Sequence, residues 1–380
     1  MFRFLDLKTE MFGIDISDCA VKVLKLRKRG KFLKVDFLNE VDFDLGIVDA
    51  GVIKNEQALI EIIKKSLISP SGKKLKIKNI IASLPEEKSF LEVIQMPKMS
   101  EEELKTAVLY QAENYIPLPL DQMYLDFSVL DMPNKDNSHL DVLVVAMPKN
   151  IIDSYMFCFK KAGLIPIVLE VESQAIVRSL VKNEESNCPL ILINYGKKNS
   201  NIIIFSGKSI RFTSSISASS SQITEAISKS LNISLDEAEK IKINYSLLKK
   251  DENEDSKKIY NTISPVLNDL VAQIKKYIAF YKDHVSHDHI NLNNLKPEDN
   301  LDILKEKIII TGGGSNLKGL AEFFSENIGI KSEVGDVFAN INFKRNKLNP
   351  IKDEKKSSLC TVIGLALRGV DKNECRKFKD

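Results

Sequence analysis

The chain has 380 residues, enough to bury more than one core, and its 43% hydrophobic and 28% charged side chains set it among globular proteins, apart from disordered or fibrous chains. Fifty-five basic against 52 acidic side chains leave a net charge of +3, too weak a field to argue for a nucleic-acid partner. Five cysteines, at 19, 158, 188, 360 and 375, form no CxxC pair and follow no secretory leader, which points to a reducing cytoplasm and away from a disulfide framework.

The opening MFRFLDLKTE alternates apolar and polar residues and reads as a loose or sheet-edge terminus; it is short and poor in cations for a lipid contact. Phe12–Ile16, Val21–Arg27 and Lys31–Val41 read as three antiparallel strands, and Asn55–Leu67 as a helix with apolar spacing near 3.6. From Asn79 to Leu164 the pattern changes. NIIASLP and FLEVIQMP lead to a helix opened by the capping box Ser100–Glu103, then to strands Tyr124–Leu130 and Leu140–Met147 and a helix Ile151–Ala162. An inserted α+β module is expected there.

The first order then returns. Leu190–Gly196, Asn201–Phe205 and Lys208–Ile216 are three close strands, with helices from Ser219 onward. Two copies of one strand-turn-strand-strand-helix unit imply two similar lobes facing a cleft. LKKDENEDSKK, 248–258, reads as a solvated loop. A long helix follows to about His284, with Ser264 as N-cap, Pro265 at its first position, and Val266, Leu267, Leu270, Ile274, Tyr277, Ile278 and Tyr281 on one stripe. Its end, DHVSHDH, offers His284, His287, Asp288 and His289 as metal-ligand types, although an exposed helix terminus favours such residues anyway. With four histidines in the chain, three of them here, no Ser-His-Asp set is arguable. No apolar run approaches the ~20 residues of a membrane-spanning helix, so no direct span is expected.

Three short stretches carry the candidate chemistry: the turn in FGIDISDCAVKVLKL at 15–22, NYGKKNS at 194–200, and IIITGGGSNLKGL at 308–320. Glycines in the last allow close backbone approach to a ligand, and the following helix presents free N–H groups to an anion, although a strand-to-helix glycine turn alone is a weak signal. Cys19 reads as a small turn residue more than as a nucleophile.

In this order the two turns, the helix EVESQAIVRSL, the loop TGGGSNLKGL and the closing SSLCTVIGLALRG resemble the actin-like ATPase superfamily. Within it, VIQMPKMSEEELKTAVLYQAENYIPLPLDQMYLDFSVL and VLVVAMPKNIIDSYMFCFKKAGLIPIVLEVESQAIVRSL resemble the FtsA-like family of the type IV pilus assembly protein PilM, over about Met11 to Val370. The resemblance implies an α/β fold: two actin-like, ribonuclease H-like lobes with an inserted α+β module. The divisions expected are 1–78 for the first part of lobe one, 79–164 for the module, 165–188 for a connecting helix, 189–350 for lobe two with a helical subdomain, and 351–380 for a helix closing lobe one plus a charged tail.

It further implies a cytoplasmic scaffold of the type IV pilus or related type II secretion machine, peripheral on the inner membrane. The partner is the cytoplasmic N-terminal tail of a bitopic PilN-like protein, with PilO-like proteins indirectly and assembly ATPases as further partners. ATP would sit between the lobes with Mg²⁺ on its phosphates near Asp15 and Asn194, without a direct protein ligand. Asp15, Ser17, Asp18, Cys19 and Lys22 fall on the first phosphate loop, Asn194, Gly196 and Ser200 on the second, and Gly312, Gly313, Gly314 and Ser315 on the adenosine loop. Glu172 falls on the helix that supplies a water-positioning side chain, and reads equally as a solvated helix carboxylate. A peptide groove is expected where the module meets the first lobe, with Leu84, Val93, Ile94, Ile116 and Leu118 as candidates that could equally be core.

The chain departs from the family where phosphates would lie. Ser17 stands where glycine is usual, and Asp18 adds a carboxylate that, at about 4 Å and an effective dielectric near 20, would cost on the order of 4 kcal/mol against a phosphate charge. Asn194 replaces an aspartate that would hold the metal's water shell. Hydrolysis is therefore expected to be slow or absent. Two other function classes compete: an FtsA-like cell-division protein, which wants an amphipathic C-terminal anchor where DKNECRKFKD has one large apolar residue, and a small-molecule kinase of the same superfamily, disfavoured by the drifted loops.

Overall fold

The computed structural model describes residues 10–130, 139–249, 253–285, 306–343 and 351–370. β1 (Phe12–Ile16) turns directly into β2 (Ala20–Arg29), which runs through Gly30, at φ +63°, into β3 (Phe32–Asp42). A two-residue hairpin follows, β4 (Val48–Asp49) and β5 (Val52–Ile53), and then α1 (Glu56–Ser66), whose N-cap Asn55 accepts a bond from Ala58 N at 3.0 Å. β6 (Asn79–Leu84) pairs parallel with β1. After β7 (Phe90–Pro97), α2 (Glu101–Ala112), β8 (Met123–Val129), β9 (His139–Pro148) and α3 (Lys149–Lys161), the chain returns as β10 (Ile165–Val171) beside β6 and enters α4 (Glu172–Leu180).

The second lobe repeats the plan. It contains β11 (Ser186–Tyr195), β12 (Ser200–Gly207), β13 (Ser209–Ile216), α5 (Ser220–Leu231), α6 (Leu235–Asn244), α7 (Glu254–Val285), β14 (Lys307–Thr311), α8 (Leu320–Ile328) and β15 (Ser332–Val334). The short α9 (Asp353–Lys356) and α10 (Cys360–Arg368) close the described chain. The sheets have orders β10-β6-β1-β2-β3 and β13-β12-β11-β14-β15. In both, an antiparallel three-strand meander is extended by two parallel strands, so β1 corresponds to β11, β2 to β12 and β6 to β14. The parallel strands are covered on both faces, which is why NIIASL and KIIIT are nearly continuous apolar runs.

α10 is buried along almost its whole length because it sits between β1 and α4. Gly364 permits the contact: a Cβ there would lie 1.8 Å from the Ala175 carbonyl oxygen. This is how SSLCTVIGLALRG closes the first lobe.

Three expectations change. The long helix starts at Glu254, ten residues before Ser264, capped by the Asn253 side chain, which accepts from Ser256 N at 2.7 Å. Pro265 lies inside it, where the stripe Ile263, Leu267, Leu270, Ile274 and Ile278 carries the helix across the missing N–H. Part of the expected charged loop is therefore the first turn of this helix. Second, Asn79–Leu84 belongs to the first sheet and α3 packs on α1. The segment with a sheet of its own, β7-β9-β8, is 90–148, narrower than 79–164, because NIIASL is a doubly covered parallel strand. Third, the His284 side chain and His287, Asp288 and His289 lie outside the described residues, as do the opening stretch to residue 9 and the tail 371–380. No described helix is long and apolar enough to cross a membrane.

Candidate functional site

The β1–β2 turn, the β11–β12 turn and the glycine loop after β14 meet in one cleft between the lobes, with Glu172 at the start of α4. It encloses a cavity of about 90 Å³. In the first turn Ser17 spends both its N–H and its hydroxyl on the Ala20 carbonyl, at 3.0 and 3.2 Å, which closes the turn. Asp18 lines the cleft, and its carboxylate is also tied to the first lobe. Its carboxylate accepts from the backbone N–H groups of Ala50 and Gly51, at 3.2 and 3.1 Å. Both are left-handed, at φ +45° and +73°, so Asp18 holds a strained turn between β4 and β5. Cys19 is a half-buried turn residue whose carbonyl accepts from Phe43 N. Asp15 accepts from the Ser83 hydroxyl at 2.7 Å, and Lys22 donates to the Ser358 carbonyl at 2.7 Å.

On the second lobe Ser200 is buried and donates to the Ala218 carbonyl at 2.6 Å, so its hydroxyl serves the fold. Gly196 packs so tightly that a Cβ would sit 2.2 Å from the Asn199 carbonyl oxygen. Asn194, Gly312 and Gly313 line the cleft, whereas Ser200, Gly314 and Ser315 are buried and Gly196 is half-buried outside that lining. Gly312 (φ +86°) and Gly314 are demanded by packing: a Cβ would meet the Tyr195 carbonyl oxygen at 2.5 Å and the Tyr195 ring at 2.4 Å respectively. Ser315 turns its hydroxyl back to the Gly312 carbonyl at 2.8 Å. Of the three glycines, Gly313 alone faces open space, with nothing nearer than Ser358 Cβ at 3.9 Å.

Sequence reasoning missed Glu87, Asn199 and Asn201. Asn199 Nδ2 donates to Asp18 at 2.9 Å and to Glu87. Asn201 Nδ2 donates to Glu172 at 3.1 Å. The internal repeat held a signal for one of them: Asp15 pairs with Lys22 across β1–β2, and the equivalent pair across β11–β12 is Asn194 with Asn201. Burial, then the carboxylates of Asp15, Glu87 and Glu86, push the Glu172 pKa well above the usual carboxylate range against the opposing charge of Lys22. Burial, and then Asp18 and Glu86, also push Glu87 up. At the start of α10, burial raises the Cys360 thiol to about 11, so it is no thiolate nucleophile.

A second, larger cavity of about 300 Å³ opens where the module meets the second lobe. Phe90, Ile94, Tyr115 and Ile116 of the module give it an apolar wall, and Thr213–Ser215 of β13 face them. Glu86, Glu87 and Glu92 also line it, with no lysine or arginine among the lining residues. Glu86 is 4% exposed; its Oε2 accepts from Ser173 N at 2.9 Å, while Oε1 has no partner among the described residues. Burial raises its pKa against the lowering effect of the hydrogen bond from the Ser173 backbone. Of the five groove candidates only Ile94 and Ile116 are here. Val93, next to Ile94 on β7, must face the other side of the sheet and packs on the first-lobe core. Leu84 is buried in the first sheet and Leu118 is exposed. The opposing wall comes from lobe two, where lobe one was expected. Close by, Arg211 of β13 makes a 2.9 Å ion pair with the fully buried Asp141 of β9, tying the module to the second lobe.

A family model described as type IV pilus assembly protein PilM matches residues 13–370. The cell division protein FtsA of Enterococcus hirae is 25% identical over 195 residues, 50% of this chain and 42% of that protein. FtsA of Buchnera aphidicola subsp. Baizongia pistaciae is 25% identical over 242 residues, 61% and 55% of the two chains. The chain thus spans about half the length of the curated relatives it matches. A solved PilM-PilN type IV pilus biogenesis complex superposes with a TM-score of 0.78 at 24% identity, over 96% of this chain and 100% of that one. MreB5 of Spiroplasma citri, solved bound to AMPPNP, gives a TM-score of 0.55 at 13% identity, over 95% and 96%. At these identities the solved structures establish the fold, which is actin-like.

Proposed function

Because the chain belongs to the type IV pilus assembly protein PilM family, we propose that it is a cytoplasmic scaffold of the pilus assembly machine, or of a related type II secretion machine, that grips the N-terminal tail of a PilN-like inner-membrane protein. The observation that carries the reading is the cavity between module and second lobe: an apolar wall, an acidic lining without a cation, and one buried carboxylate oxygen left without a partner. An extended tail with an apolar side chain for the Ile94–Ile116 wall and an amine, guanidinium or N–H for Glu86 satisfies all three. The solved complex of a family member with PilN supports the choice of partner. Membrane association then comes through the partner.

ATP does not fit the cleft in this state. The cavity of about 90 Å³ is well short of the roughly 300 Å³ at which ligand pockets begin, and Asn199, Asp18 and Glu87 stand across it. No hydrolytic step is assigned, and a scaffold needs none; nucleotide is at most a structural or switching ligand.

Fluorescence anisotropy of a labelled N-terminal peptide of a PilN-like protein tests the reading. A disordered tail loses free energy on ordering, so an affinity of roughly micromolar order is expected. The variant Ile116→Asp, shown folded by its melting curve, should weaken binding at least tenfold. Absence of binding by the unmodified chain would return the FtsA-like cell-division reading to first place.

A further inference from the structure

We infer that the interlobe cleft of this chain is latched shut by two of its own asparagines, Asn199 and Asn201, and that this latch excludes Mg·ATP until it is broken. The inference rests on the cleft alone and stands apart from the pilus reading.

The geometry is specific. Ser200 opens β12 and is buried, its hydroxyl fixed on the Ala218 carbonyl. Alternation along an extended chain then sends the flanking Asn199 and Asn201 to the opposite side, into the cleft. Asn199 Nδ2 has two hydrogens, and the two carboxylates it meets, Asp18 and Glu87, come from separate segments of the other side of the cleft. Asn201 Nδ2 takes Glu172, the side chain expected to position water. The β11–β12 turn and the start of β12 therefore hold three carboxylates across the cleft through amide donors, which are neutral and add no charge.

Electrostatics favours the shut state over a nucleotide. Asp15, Asp18, Glu87 and Glu172 line the cleft against Lys22 and Lys198, and Lys22 already donates to Ser358. A triphosphate would have to displace the amides and then sit beside acidic side chains that had lost those hydrogen bonds. A ligand that needs the open state binds with an affinity reduced by the fraction of molecules that are open, so removing the latch should raise affinity directly.

Calorimetric titration of the full chain with Mg·ATP, and of the variants Asn199→Ala and Asn199→Ala/Asn201→Ala, tests this. Asn199 lies on the β11–β12 turn and Asn201 is the second residue of β12, and unchanged melting curves would show the variants folded. The unmodified chain should give no binding below about millimolar ATP, and the double variant should bind at least tenfold more tightly. Paired fluorophores on Leu45→Cys and Leu235→Cys, both exposed and on opposite lobes, placed in a Cys188→Ser background, should report a longer distance in the double variant. Micromolar binding by the unmodified chain overturns the inference, as does a folded double variant with no gain in affinity. Tail-peptide affinity measured on the same proteins separates a failure here from a failure of the scaffold reading.

Discussion

Glu306, at the foot of β14, shows how a single side chain sets a pH dependence. Burial pushes its carboxyl from 4.5 up to about 7, only partly opposed by Lys282. The folded state thus holds its proton more tightly than the unfolded chain. The stability this gives is fully present below about pH 4.5 and is lost as pH rises through about 7. Urea unfolding at pH 5 and pH 8 should show the unmodified chain losing on the order of 1–3 kcal/mol from this group. Glu306→Gln should flatten that slope without abolishing it, because Glu86, Glu87 and Glu172 are raised in the same direction. A variant with an unchanged slope would show that Glu306 ionises freely. At this scale the sequence was legible for which loops meet and opaque for what their side chains do. Acceptance of the Ala50 and Gly51 amides by Asp18 was out of reach of a local pattern because those amides lie 32 and 33 residues away. Val93 and Ile94 were taken together although adjacent residues of a strand cannot share a face.

Among the elements, α7 is the one whose start a local pattern misplaced. Ser264-Pro265 has the look of a cap and first position, and the charged run before it has the look of a loop. The apolar stripe that begins with Ile259 and Ile263 packs on the second-lobe core and draws the helix back to Glu254. Pro265 therefore removes one intrahelical bond from the middle of the element. Pro265→Ala should restore the donor to the Asn261 carbonyl and stabilise the protein by roughly 1–3 kcal/mol, read as a rise in melting temperature. A fall would mean that the ring packs in a way alanine cannot replace. Sheet elements were read more accurately because the parallel strands NIIASL and KIIIT announce themselves as unbroken apolar runs, and the meanders announce themselves by short turns. The same regularity made the repeat visible, and with it the cleft.

For the whole molecule, the decisive relation is between the module and the second lobe, segments far apart in sequence whose pairing no local pattern encodes. That is why the groove was expected against lobe one and the module's boundary at residue 79. The relation is held by Arg211 and Asp141, the latter wholly buried. Removing one partner of such a pair costs about 3–5 kcal/mol, because the remaining charge stays out of water. Arg211→Met should therefore lower the stability of the intact chain by that amount, while Arg211→Met/Asp141→Leu, which removes both charges, should recover most of it. The double variant keeps the fold but loses the directional tie between β13 and β9, so the spacing of the two groove walls is no longer fixed. Tail-peptide affinity should then fall several-fold in a protein of near-normal stability. Recovery of stability with fully retained affinity would mean that packing between β7 and β13 sets the groove width unaided, and that the ion pair serves stability alone.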